Sequence, residues 1–287
     1  WQTLTFSTAQ LLPLEAKTNY KFHFEVEAVE DTSLEIQLRI AAEKRSFTPE
    51  KTLSTKTYSL KKGIHQISFK NEVILDEKQY AFVCLMKNEL VKVRISNERC
   101  SGIMTVQNRI NKAVSNYGKQ EPPKNVAIDS FEFWTPERRP NGKNLAFNMS
   151  PSLSIFEKEN LINPEIRPNP TGETNVWIAD KNDTNPSLQL TWEEEINIQK
   201  IKLFFDCDYD HALESTLMGH PEDEIPFVVS DYTIEDQKGT ILKTMQNNYQ
   251  AINEMTFENN IKTKSLSFKF SQKHSNIPVS VFKIAVY

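Results

Sequence analysis

Apolar and polar positions alternate along most of the chain. Tyr20, Phe22, Phe24, Val26 and Ala28 alternate with Lys21, His23, Glu25 and Glu27. Leu34, Ile36, Leu38 and Ile40 alternate with Glu35, Gln37 and Arg39. Successive side chains of a strand point to opposite faces, so each run predicts a strand with one buried face and one wet face. The pattern continues through Ile67 and Phe69, through Tyr80, Phe82, Cys84 and Met86, and through Val91, Val93 and Ile95. Phe131 and Phe133 read as a late strand returning to the first sheet. In the second half the runs are Leu188, Leu190 and Trp192; Ile201, Leu203 and Phe205; Tyr232 and Ile234; Leu266, Phe268 and Phe270; and Phe282, Ile284 and Val286. Half-polar strands at this spacing predict antiparallel sheets stacked as sandwiches rather than parallel sheets buried on both faces.

No helical periodicity is sustained. A short helix is expected near Ser154, where Ser154-Ile155-Phe156-Glu157 has the form of a capping box, and a turn or two within Val106 to Asn116. Two segments read as connections: Lys119 to Lys124, with adjacent prolines, and Asn148 to Ser154, around Pro151. The second is the better boundary, which gives domains at 1–150 and 151–287. The fold class expected is all-β: two antiparallel β-sandwich domains of jelly-roll type. Only seven glycines occur, so the turns must draw on Asn, Asp and Pro.

A length of 287 residues is enough for two domains with a core each. The net charge of −4 supplies no basic surface and argues against nucleic acid as a partner. No apolar run reaches the roughly 20 residues of a membrane span. The chain opens at Trp1 with neither initiator Met nor signal peptide and reads as a fragment of a processed or excised protein. Three cysteines, Cys84, Cys100 and Cys207, cannot all pair, and they are too scattered for a zinc site. Cys84 falls at an inward strand position; a Cys84–Cys100 bridge is compatible with the sequence but not required by it. Asn148-Met149-Ser150 and Asn182-Asp183-Thr184 fit the glycosylation triplet, a pattern common by chance.

The densest chemistry lies in Asp206 to Phe227, DCDYDHALESTLMGHPEDEIPF, directly after the strand-like run Lys200 to Phe205. A long polar insertion after a strand is where a sandwich carries function. Asp206, Asp208 and Asp210 have the spacing that opens an EF-hand loop, but His211 stands where the turn glycine belongs and Leu217 where the bidentate glutamate belongs. That excludes an EF-hand and leaves two readings: side chains bonded to their own loop, or a different oxygen-rich calcium site on Asp206, Asp208 and Asp210. His211, Glu214 and His220 do not have the spacing of a compact metal motif or of a His-Glu-x-x-His protease. They suit ligand contact or acid–base work. The chain has no Gly-x-Ser-x-Gly elbow, no Gly-x-Gly-x-x-Gly and no phosphate loop. Trp134, Trp177, Tyr209 and Tyr249 fall at strand ends or loops, where an aromatic ring can stack on a sugar. Trp192 is in phase with Leu188 and Leu190 and reads as core, and Trp177 is open to the same reading. Arg138 and Arg139 form a basic turn beside Trp134.

The second half resembles the carboxy-terminal β-sandwich region of bacterial FAD-dependent oxidoreductases. The resemblance is carried by Asn175-Val176-Trp177-Ile178-Ala179-Asp180, Pro186 to Trp192, and the string Asp210-His211-x-x-Glu214-Ser215-x-x-Met218-Gly219-His220-Pro221. Pro226-Phe227, Asp231-Tyr232, Ser275-Asn276-Ile277-Pro278 and Val281-Phe282-Lys283-Ile284 add to it. It covers about Glu159 to Tyr287, and the broader arrangement is similar to a discoidin-like, galactose-binding-like jelly roll. The FAD-binding part of that family carries a glycine fingerprint that this chain lacks. The resemblance therefore implies a non-catalytic tail, in a periplasmic or secreted bacterial protein, with no cofactor of its own.

The resulting expectation is an accessory module that binds a glycan or packs against an adjacent catalytic domain. Its contacts would come from Asp206, Asp208, Tyr209, Asp210, His211, Glu214, His220 and Trp177. Single-site sugar contacts of this kind are weak, on the order of millimolar to micromolar. Two alternatives stand beside it: a structural buttress that binds no ligand, and a glycan-acting hydrolase with two carboxylates about 5–9.5 Å apart in a cleft.

Overall fold

The computed structural model describes residues 1–42, 48–108, 134–136, 143–164, 166, 175–206 and 225–287. The chain divides into two compact units. One comprises Trp1–Asn97 and Ile103–Ser152, the other Glu98–Gly102 and Leu153–Tyr287. Five residues from within the first half thus belong to the second unit. Both units are built of antiparallel sheets, as the alternation predicts.

In the first unit the strands are β1 (Gln2–Leu4), β2 (Thr8–Leu14), β3 (Lys21–Ala28), β4 (Thr32–Ile40), β5 (Lys51–Leu60), β6 (Gly63–Lys70) and β7 (Gln79–Leu85). They continue with β8 (Asn88–Val93), β9 (Ile95–Ser96), β10 (Met104–Asn108), β11 (Trp134–Pro136), β12 (Asn144–Leu145) and β13 (Phe147–Ser150). One sheet runs β11-β10-β2-β7-β4-β5. The other is built around β3, which pairs with β6, β8 and β13, and β1 adds beyond β8. Phe22, Phe24, Val26 and Ala28 of β3 are all at most 2 % exposed. Phe22 lies 6.3 Å from Phe69 and 6.2 Å from Phe147, ring centre to ring centre. Each such aromatic contributes roughly 1.5–3 kcal/mol by leaving water.

β2 does not alternate: all seven of its residues are buried, Gln10 included. The Gln10 amide is saturated. Its Oε1 accepts from Leu145 N (2.9 Å) and Thr105 Oγ1 (3.1 Å), and its Nε2 donates to Met104 O (3.0 Å) and Asn144 Oδ1 (3.1 Å). That satisfaction is what makes a polar side chain tolerable inside the unit. At the sandwich seam a short turn at Lys61-Lys62 carries the chain from β5 in one sheet to β6 in the other. There the Tyr58 hydroxyl of β5 donates to Ser68 O of β6 at 2.8 Å, and Lys56 Nζ sits 5.4 Å from the Tyr58 ring centre.

Two expectations are corrected. The short helix begins later than Ser154: it is a 3-10 helix at Lys158–Ile162, and its N-cap, Glu157, makes no side-chain capping bond. Val106 to Asn108, the first residues of the segment expected to hold a helical turn or two, lie in β10 and pair with β2 and β11. The rest of that segment, like Phe131, Phe133, Arg138, Arg139 and the 119–124 linker, lies outside the described residues. No Cys84–Cys100 bridge forms. Neither cysteine is in a disulfide; Cys84 lies in the core of the first unit and Cys100 in the second.

The second unit contains β14 (Trp177–Ile178), β15 (Ser187–Phe204), β16 (Asp231–Asp236), β17 (Ile241–Met245), β18 (Ile252–Ser271), β19 (Ser280–Val281) and β20 (Lys283–Val286). Its main sheet runs β17-β16-β18-β15-β20, and β14 pairs with β19. β15 and β18 form a long ribbon whose register breaks between Thr191 and Ile196 and again between Ile198 and Lys200. Ile198, Ile201, Leu203, Ile234, Leu266 and Phe268 are fully buried, and Val281 of the small ladder joins the same core. Trp192 packs against that core, as its phase predicts. Among the described residues, no helix is long and apolar enough to cross a membrane.

Candidate functional site

One end of the second unit gathers four chain segments. The first is Phe205 and Asp206, where β15 runs out. The second is 225–230, leading into β16. The third is the 246–251 turn between β17 and β18, and the fourth is Glu98–Gly102. Backbone hydrogen bonds join the first and third, Phe205 N to Ala251 O at 2.8 Å, and the second and third, Asn248 N to Ser230 O at 2.7 Å.

Amide side chains hold the turn in shape. Asn248 Nδ2 donates to Val229 O (2.9 Å), and its Oδ1 accepts from Gln250 N (3.0 Å). Asn253 Nδ2 donates to Asn248 Oδ1 (3.1 Å) and Gln250 O (2.9 Å). Beneath them the Tyr232 hydroxyl donates to Asn253 Oδ1 at 2.7 Å, and burial pushes the Tyr232 phenol up to about 12. Asn247 has φ of 52°, a left-handed conformation that Asn tolerates better than most residues, and its N–H donates to Asp231 Oδ1 at 3.0 Å. The turn presents Tyr249, which is 69 % exposed, with Ile252 at 53 % close by in sequence. An exposed ring on a turn whose backbone is fixed from below is pre-organised for contact, because little entropy remains to be lost on binding.

Asp206 lies at the foot of the segment singled out in the sequence. It is 2 % exposed, and its Oδ2 accepts from Ser101 Oγ at 2.5 Å. Cys100 is next to Ser101, and burial, reinforced by the Asp206 carboxylate, pushes its thiol up to about 12. A thiol so raised is protonated at neutral pH and has no nucleophilic character. At the other foot, the Arg99 guanidinium lies 5.2 Å from the centre of the Phe227 ring, and Arg99 N donates to Asn276 O at 2.9 Å. Lys181 Nζ closes on both carboxylate oxygens of Glu98 at 3.0 Å.

Of the candidate residues read from the sequence, the described structure brings Asp206 to this rim. Trp177 is half-buried, 6.0 Å from Phe270 and packed against the core. The strand register places Phe270 opposite Tyr232, toward the same end of the sheet. Asp208, Tyr209, Asp210, His211, Glu214 and His220 lie outside the described residues, as do Asp208 and Asp210 in their calcium reading. Among the described residues no three His, Cys, Asp or Glu side chains are grouped to hold a metal ion. Sequence reading named Tyr249 among the aromatics but did not place it in the site. The cluster Asn247-Asn248-Tyr249-Gln250, turn formers around an aromatic, was the signal. For Arg99, Cys100 and Ser101 there was none, because their partners lie more than a hundred residues away.

No protein-family model matches the chain, and no curated protein matches it. Several solved structures are similar to it. The family 32 carbohydrate-binding module of Streptococcus pneumoniae EndoD is 11 % identical, with a TM-score of 0.34, covering 46 % of this chain and 85 % of that one. Chitosan-binding module 1 of a chitosanase/glucanase from a Paenibacillus species is 15 % identical, with a TM-score of 0.34, covering 47 % and 86 %. The family 32 module of Clostridium perfringens NanJ, solved with galactose, is 13 % identical, with a TM-score of 0.32, covering 47 % and 86 %.

Proposed function

We propose that the second unit is a non-catalytic carbohydrate-binding module of galactose-binding-like type, and that its ligand lies on the rim around Tyr249. The observation that carries this reading is the exposed Tyr249 ring on a turn fixed by Asn248 and Asn253. A phenol ring offers an apolar face to the C–H side of a sugar while its hydroxyl stays in water. The adjoining residues 206–220 would supply hydroxyl-binding groups: the carboxylates of Asp208, Asp210 and Glu214 and the imidazoles of His211 and His220, with Tyr209 as a second ring. Asp206, buried and bonded to Ser101, serves as an anchor for them, and Trp177 steadies the core behind the rim. Asp208 and Asp210, beside Asp206, would add hard oxygen donors of the kind that suits calcium.

The sequence resemblance supports a broader setting, in which the chain accompanies a catalytic domain of the FAD-dependent oxidoreductase kind in a secreted or periplasmic protein. In that setting the module holds a glycan near the partner's chemistry and carries out none itself. The raised Cys100 thiol fits the same reading, since it is unsuited to nucleophilic work.

A glycan array followed by calorimetric titration tests the proposal. Binding in the millimolar to micromolar range is expected, weakened at least about tenfold by Tyr249→Ala and by His211→Ala. An array without signal would leave the buttress role in its place, and affinity unchanged in Tyr249→Ala would refute the rim around Tyr249 as the binding site.

A further inference from the structure

Taking the rim as a carbohydrate site, we infer that Arg99 and Ser101 are its positioning residues: a five-residue strap from within the first half of the chain sets the shape of the binding end of the second unit. The strap, Glu98–Gly102, belongs to the second unit by its contacts, yet its neighbours in sequence are strands of the first, β9 before it and β10 after it. Two of its side chains reach the binding end. Ser101 is 1 % exposed and donates to Asp206. Arg99 is 7 % exposed, lies over Phe227, and is fixed through its own N–H to Asn276 O. Glu98 is tied to Lys181.

Asp206 and Phe227 are the two points from which the rim is built. Phe205, adjacent to Asp206, donates to Ala251 in the Tyr249 turn, and Val229 and Ser230, just after Phe227, accept from Asn248 of the same turn. One strap therefore holds both feet, and through them the presentation of Tyr249. The chemistry suits fine positioning. A hydroxyl–carboxylate bond is charge-assisted and short, and a guanidinium plane over a ring fixes distance and tilt together. Neither strap side chain need touch the ligand.

Three variants of the whole chain test this: Ser101→Ala, Arg99→Lys, which keeps the charge but loses the planar group, and Leu266→Ala. Leu266 is a fully buried residue paired with Asp236, at the far end of β16. Each is titrated with galactose, glucose, fucose and N-acetylglucosamine. Hydrogen exchange is read in parallel by mass spectrometry over 203–206, 225–230 and 246–251. The expected result is faster exchange confined to those three segments in both strap variants, with affinity lowered about tenfold. Leu266→Ala should lose comparable thermal stability while keeping wild-type affinity. Strap variants that exchange like wild type at the rim would overturn the inference, as would Leu266→Ala weakening binding equally. If none of the sugars binds wild type, the carbohydrate reading fails for this panel, and the exchange pattern still decides whether the strap positions the rim.

Discussion

Asn253→Ala probes whether the Tyr249 turn is held from beneath. Asn253 is 4 % exposed and makes three bonds: it accepts from the Tyr232 hydroxyl at 2.7 Å and donates to Asn248 Oδ1 at 3.1 Å and Gln250 O at 2.9 Å. Alanine leaves the buried Tyr232 hydroxyl without that acceptor, which costs about 1–3 kcal/mol. The two acceptors on the turn lie nearer solvent and can recruit water, so they add about 1 kcal/mol together. The expected loss is about 3 kcal/mol, or roughly 10 °C in Tm for a unit of this size. Tyr232→Phe removes only the hydroxyl and should cost about 1 kcal/mol. The double variant should cost less than the sum of the two, by about 1 kcal/mol, because the stranded hydroxyl is then gone. The assay is urea unfolding of the four proteins followed by circular dichroism, fitted with one transition per unit. Asn253→Ala within about 0.5 kcal/mol of wild type, or strict additivity in the double variant, would refute the account of how the turn is held.

Other outcomes follow from the same contacts. Tyr232 has its phenol raised to about 12 in the folded chain from an ordinary 10, so the folded state keeps its proton where the unfolded state loses it. Its contribution to stability is complete below pH ~10 and is lost as pH rises through ~12, by roughly 2–3 kcal/mol in all, and alkaline unfolding of Tyr232→Phe should show a correspondingly shallower slope. Cys100, raised by burial and by Asp206, should resist maleimide at pH 8 in the native chain and react readily in denaturant, with the labelled peptide identified by mass spectrometry. Equal rates of Cys100 labelling in the native chain and in denaturant would contradict the shielding of its thiol. A chain cut to 153–287 lacks the strap and should melt lower and less cooperatively than the second unit of the whole protein. An unchanged calorimetric transition would show the strap to be dispensable.

The sheets were legible wherever one face is wet. β3 buries Phe22, Phe24, Val26 and Ala28 and leaves Lys21 and His23 exposed, as its alternation predicts, and β4 follows the same rule as far as Leu38, beyond which Arg39 is buried and Ile40 half-buried. Periodicity fails where both faces are covered. β2, TAQLLPL, offers a near-continuous apolar run with a glutamine and a proline inside it, which neither strand nor helix templates identify. Only the ring of partners around Gln10 explains why that strand is central. Val106 to Asn108 are held as strand for a related reason: β10 is paired on both sides. At the rim, acids and aromatics announced themselves as residue types, and Tyr249 was visible among turn formers. The strap was not, because Arg-Cys-Ser acquires meaning only when the chain brings it to Asp206 and Phe227.

The hydroxyl that Tyr58 offers to Ser68 has a bearing on how this chain behaves in crowded solution. A sheet border normally displays backbone carbonyls that a neighbouring molecule can adopt as a template for fibril-like stacking. Here one such carbonyl is already engaged by a side chain from the adjoining sheet, and the lysine ammonium beside that ring adds charge where a foreign strand would have to dock. Phenylalanine at position 58 would free that carbonyl and should make the protein more prone to self-association on concentration, with its fold intact.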